Sequence, residues 1–179
     1  RDYCDTYLGD VPMTTGMVDD YPARSWSVSR YKSLLPRQAH LPEEFQRLWL
    51  YFGLFPNTVI YFYPEKAGFY MSLPQGAATT RVISREYRLP GENRELAAAR
   101  YLSGRIDQIT GREDRDLVRW LQEAADTSVF PLNNLSDLED GVLRFHQQLK
   151  ALVPVMSLEV SPALSTLADV NANLLKSSN

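Results

Sequence analysis

One cysteine, two histidines and no long apolar run are what this sequence offers where many proteins are rich, and each scarcity excludes something. Cys4 alone cannot close an intrachain disulfide, and such sparing use fits a reducing compartment, with the cytoplasm as the default location. No stretch of 18 or more apolar residues occurs, so no membrane span is expected, and Arg1 opens no signal-peptide pattern. The formal charge is only −3, and the arginines are scattered without a basic run interleaved with aromatics, so no nucleic-acid footprint is expected. No internal repeat is evident. What remains is 179 residues, 44% hydrophobic, one domain's worth of chain with a sizeable core.

Residues 1–22 carry Gly9, Pro12, Gly16 and Pro22 and read as an irregular connection. Residues 24–31 alternate, with Trp26 and Val28 on one face, and read as a strand. A polar loop with Pro36 and Pro42 leads to Leu48–Phe52 and then to Leu54-Phe55-Pro56-Asn57. Val59–Tyr63 and Gly68–Leu73 are aromatic and β-branched runs joined by Pro64-Glu65-Lys66-Ala67, a hairpin signal that puts Val59, Tyr61 and Tyr63 on one face. Thr80–Leu89 reads as a third antiparallel strand, and Arg94–Tyr101 as a helix. A linker containing Gly104 and Gly111 then precedes a helix opening at Glu113-Asp114, and a last helix spans about Asp137–Leu152. Strands followed by helices argue for an α+β fold. The tail from Val155 to Asn179 reads as weakly helical or disordered, giving a division into 1–154 and 155–179.

Asp114 is the candidate site residue. At 100° per residue, Leu117, Val118, Leu121 and Ala125 form an apolar face, and Asp114 projects into its middle. A carboxylate there is costly unless something binds it, which makes it a candidate metal ligand. The plainer reading is that Asp114 sits at the helix N-terminus and satisfies free backbone N–H groups.

Leu54-Phe55-Pro56-Asn57-Thr58-Val59-Ile60, the strand ending Ser72-Leu73-Pro74, Glu113-Asp114-Arg115-Asp116-Leu117 with Gln122 eight residues after Asp114, and Leu138-Glu139-Asp140-Gly141-Val142-Leu143-Arg144-Phe145-His146 follow one another in order. Together, over about residues 45–153, they resemble the catalytic half of the α subunit of Rieske non-haem iron oxygenases, the ring-hydroxylating family. The resemblance implies a curved antiparallel sheet gripping a C-terminal helix, START-like, with an apolar cavity between them. It implies a mononuclear Fe(II) held by two histidines and one carboxylate, the latter carried over to Asp114. It also implies O2 and a small apolar or aromatic organic substrate, electrons from a ferredoxin or reductase, and a homotrimer or α3β3 assembly. The outcome would be ring mono- or dihydroxylation or oxidative demethylation. Thr110, four residues before the ligand, and Tyr61 match substrate-facing positions. A small polar residue at 110 argues against a fused-ring hydrocarbon.

The departures matter as much. The family takes its two histidines from a helix upstream of the Phe-Pro-Asn strand, whereas this chain has only His40 and His146, which are far apart in sequence. The Cys-x-His and Cys-x-x-His set of a Rieske 2Fe-2S cluster is absent as well. The expectation is therefore a segment of a longer polypeptide, inactive by itself and incomplete at its N-terminus, whose parent binds the cluster. Two alternatives stand beside this reading: a non-catalytic helix-grip module for a small ligand, and a structural or assembly subunit.

Overall fold

The computed structural model describes residues 6–8, 11–76, 78–125, 127, 136 and 139–177. It separates into two compact units, Arg1–Asn133 and Asn134–Asn179. The first holds a six-stranded antiparallel sheet in which every strand pairs with its neighbour in sequence: β1 Thr6–Leu8, β2 Val11–Met17, β3 Leu48–Leu54, β4 Thr58–Tyr63, β5 Lys66–Gly76 and β6 Thr79–Arg88. Two helices accompany it, α1 Trp26–Leu34 and α2 Arg94–Ala125. The fold is α+β, consistent with the helix-grip architecture.

The meander from β3 to β6 follows the alternation read from the sequence. Tyr51 pairs with Tyr61, Tyr61 with Gly68 and Gly68 with Glu86, so these positions share one face, while Phe52 and Phe62 stack edge to face on the other. The β4–β5 turn is tighter than the sequence suggests: Tyr63 pairs with Lys66, leaving only Pro64-Glu65 outside the ladder. A bulge between Pro74 and Gly76 shifts the β5–β6 register.

Three expectations fail, each for a local physical reason. Residues 11–17 are a strand, not irregular chain; Pro12 fits because Gly53 on the neighbouring strand has no side chain, and a Cβ there would lie 3.2 Å from the Pro12 ring. Residues 26–34 are helical, not extended. Ser25 caps the helix by accepting a hydrogen bond from the Val28 N–H at 3.3 Å, and Val28, Tyr31 and Leu35 recur at helical spacing and are buried, while Trp26 is left 71% exposed. Nor is there a linker between residues 101 and 113, because α2 runs unbroken through Gly104 and Gly111. Asn93 accepts from the Leu96 N–H at 2.8 Å and starts the helix, and Leu96, Ala99, Leu102 and Ile106 hold its first half in the core.

The core lies where α1 and α2 pack side by side, with Val18, Val28, Tyr31, Leu35, Ala99, Leu102 and Ile106 in contact and Tyr21 and Trp49 against them. In the second unit, α3 Asp140–Leu152 is followed by a 3₁₀ turn over Pro154–Ser157 and then by α4 Leu167–Ser177, so the tail contains a helix. Asn171 of α4 accepts from the Val155 N–H at 3.1 Å. No helix among the described residues is long and apolar enough to cross a membrane.

Candidate functional site

One stripe of α2 carries the chemistry. Ser103, Asp107, Thr110 and Asp114 recur at intervals of three and four residues, and their partners show what the stripe faces. Asp107 accepts from the Tyr63 hydroxyl at 3.4 Å and from the Lys66 ammonium at 2.6 Å. Asp114, two turns on, acts electrostatically on Tyr70 of β5. The Tyr70 hydroxyl is raised above its ordinary pKa, first by burial and then by the Asp114 charge.

The facing strands present a cluster of tyrosines. Tyr51 and Tyr63 join hydroxyls at 2.6 Å, and the Tyr61 ring lies 5.2 Å from Tyr63 and 6.4 Å from Tyr51. Burial pushes the Tyr51 hydroxyl up to about 12, and burial together with the neighbouring phenol and carboxylates pushes Tyr63 higher still. Burial also raises Tyr61, so Tyr51, Tyr61, Tyr63 and Tyr70 are all neutral hydrogen-bonding groups at physiological pH. Tyr61 sits in a slot made by Gly68, where a Cβ would come 2.5 Å from its Cζ.

Behind the tyrosines is a polar network absent from the sequence reading. Lys66 has no exposed side-chain surface and bridges Asp107 at 2.6 Å and Glu86 at 2.8 Å. Burial pulls its ammonium down, but the two carboxylates outweigh burial and hold its pKa above the ordinary value. Glu65, fully buried, accepts from the Tyr31 hydroxyl at 2.8 Å, and Tyr31 accepts from the Trp49 indole at 3.2 Å. One Glu65 oxygen has no hydrogen-bond partner among the described residues, and burial raises the carboxyl above its usual range. The only sequence signal for this network was chemical: strand tyrosines whose hydroxyls need partners once buried.

The residues singled out by sequence fall as follows. Asp114 lies in the interior of α2 and not at its start, so the helix-capping reading does not hold. It is also exposed. Its stripe companions Leu117, Val118 and Leu121 are 52%, 64% and 52% exposed, so the argument from a buried unpaired charge fails as well. Its carboxylate takes part in no hydrogen bond or ion pair among the described residues. Thr110 lines a cavity of about 250 Å³ between the start of α1 and α2, with Tyr21, Val28, Ile106, Ile109 and Glu113 among its walls. Tyr61 stands apart from that cavity, in the tyrosine cluster, and Thr110 lies one turn from the Asp107 that holds its neighbour Tyr63.

The donor set fits an iron centre only in part. Asp114 offers an unpartnered carboxylate, the donor type a two-histidine, one-carboxylate site requires. His40 lies exposed in the loop between α1 and β3, and His146 is exposed on α3 in the second unit. Among the described residues no three His, Cys, Asp or Glu side chains are grouped to hold a metal. These residues therefore supply at most one ligand.

Neither the curated proteins nor the solved structures contain a match to the chain. A family model does match it, over residues 4–154, and describes the ring hydroxylating alpha subunit, catalytic domain. That span takes in the whole meander, α1, α2 and α3. On this match the chain belongs to the ring-hydroxylating oxygenase α-subunit family, as its catalytic domain.

Proposed function

We propose that this chain forms the catalytic-domain portion of a Rieske-type oxygenase that hydroxylates, or oxidatively demethylates, a small apolar or aromatic substrate. The observation that carries the reading is the Asp114 carboxylate, unpartnered among the described residues and set on the stripe of α2 that faces the tyrosine cluster, within a chain of the ring-hydroxylating family. Asp114 would be the anionic ligand of a mononuclear iron, and neither His40 nor His146 would supply its imidazoles. When bound, the iron supplies the activation of O2.

The chain's own residues do the rest. Thr110 and Tyr61 face the substrate, Thr110 from the helix and Tyr61 from the sheet. The aromatic surface receives an apolar ring, and neutral hydroxyls hydrogen-bond a polar substituent on it. The small polar residue at 110, which also borders the separate cavity between α1 and α2, argues against a fused-ring hydrocarbon. The electron donor would be a ferredoxin or reductase, a 2Fe-2S cluster would be held by residues other than these, and the assembly would be a trimer or α3β3.

The test is Asp114→Ala in the full-length protein. Iron content and substrate-dependent O2 uptake should both be lost, with the assembled fold intact because the side chain is exposed. Undiminished iron and turnover would remove Asp114 from the site. A full-length protein that binds small apolar rings but never iron would instead establish the helix-grip ligand module.

A further inference from the structure

Lys66 combines two properties that seldom meet: it is one of the most completely buried side chains in the molecule, and it is charged. Its ammonium has three protons. Two are directed at carboxylates on different elements, Glu86 of β6 at 2.8 Å and Asp107 of α2 at 2.6 Å. The nitrogen also lies 5.0 Å from the Tyr63 ring centre and 5.9 Å from that of Tyr61, inside the range of cation–π attraction. Asp107 is held a second time by the Tyr63 hydroxyl, which is itself tied to Tyr51 of β3. One cation thus gathers β3, β4, β5, β6 and α2 at one point.

Cohesion alone does not explain this arrangement. Burying an ammonium is costly, and a well-packed apolar side chain of the same length holds elements together as firmly. What the ion pair adds is direction, because an apolar contact tolerates sliding whereas hydrogen bonds to a carboxylate fix both distance and angle. Asp107 is bound to the sheet by direct hydrogen bonds, Arg100 two turns earlier adds a longer ion pair to Glu86 at 3.8 Å, and Thr110 and Asp114 follow Asp107 at one and two turns. We infer that Lys66 is a positioning residue, which through Asp107 sets the height and rotation at which α2 carries Thr110 and Asp114 over the tyrosine face. The importance of those two residues rests on the oxygenase reading; the clamp itself does not.

The experiment measures position directly. In the full-length protein, nitroxide labels are attached to ketone-bearing unnatural residues replacing Arg112 on α2 and Arg81 on β6, both exposed, so that every cysteine is left untouched, and the distance distribution is read by pulsed electron resonance. Lys66→Met and Asp107→Ala should each move the mean by about 2 Å, the scale on which packed helices shift, or broaden the distribution markedly. Asp107→Asn keeps an acceptor for Lys66 and should retain the parent distribution. An unchanged distribution in both Lys66→Met and Asp107→Ala, with only a lower melting temperature, would reduce the cluster to a structural prop and overturn the inference. If Lys66→Met does not fold, Asp107→Ala decides alone, since that side chain is 42% exposed and its truncation leaves no buried void. Neither iron nor substrate enters this measurement. Failure of Asp114 to bind iron therefore sinks the oxygenase reading, and an immobile helix sinks the clamp.

Discussion

Gly68→Ala should disturb the site through a single methyl group. The added Cβ would meet the tip of the Tyr61 ring, with Cζ at 2.5 Å, and the Arg85 carbonyl oxygen of the adjacent strand at 2.6 Å. Both are about 1 Å inside ordinary contact. The ring can rotate aside, giving up its contacts with Tyr51 and Tyr63 at about 0.5–1.5 kcal/mol per aromatic pair. The Arg85 carbonyl belongs to the β5–β6 ladder and cannot move alone, so overpacking adds about 1–3 kcal/mol. The variant should therefore lose about 2–6 kcal/mol in urea unfolding, with an unchanged dependence on denaturant. Tyr61→Ala removes the first overlap but not the second. In a double-mutant cycle, Gly68→Ala should cost about 1–3 kcal/mol less in the Tyr61→Ala background than in the parent. An equal cost in both backgrounds would show that the ring does not occupy the glycine slot, and no cost in either would refute the strand packing described for β5 and β6.

Gly104 and Gly111 have open space where a Cβ would stand, so Gly104→Ala and Gly111→Ala should each stabilise the protein by about 0.5–1 kcal/mol by thermal melting; destabilisation would mean that α2 is broken at those points. Ser25→Ala removes the cap of α1 and should cost about 1 kcal/mol, measured the same way, whereas a strand over 26–34 would be indifferent to it. The Glu65 carboxyl is raised by burial, so the fold favours its neutral form. Its contribution is then most favourable below the unfolded pKa near 4.5 and is lost as pH rises through the folded value. Glu65→Gln removes that dependence, and its stability relative to the parent should improve as pH rises above about 4.5 and level off once pH passes the folded value; a difference independent of pH would show that burial does not hold the carboxyl neutral.

The meander was legible because its information is local. Alternating Val59, Tyr61 and Tyr63, a Pro-containing turn and a second aromatic run leave few other arrangements for residues 58–73. Helix α1 was misread because Trp26 and Val28 alternate by chance, while the governing signals, a Ser25 cap and the Val28, Tyr31, Leu35 spacing, overlap the same residues. The continuity of α2 was hidden by two glycines whose low helix propensity is offset by the packing of Leu96, Ala99, Leu102 and Ile106. Asp114 and Thr110 are singled out by motif order alone. Lys66, Glu65, Glu86 and Asp107 were not, because a Glu-Lys pair in a tight turn ordinarily points to water, and only the arrival of α2, some forty residues later, buries it.

Helix α2 is 32 residues long, about 48 Å from end to end, yet its buried residues all lie between Leu96 and Ile106. Mechanically it is a lever with its fulcrum near Asp107. A tilt of about 5° there would carry Asp114 through about 1 Å and the final turn through about 2 Å, at a rise of 1.5 Å per residue. Displacements of about 1 Å can cost a hundredfold in rate where reacting groups must be aligned. On the oxygenase reading, substitutions around the fulcrum would tune the reaction without touching Asp114, and whatever docks on the exposed final turns of α2 would act on the same arm from its far end.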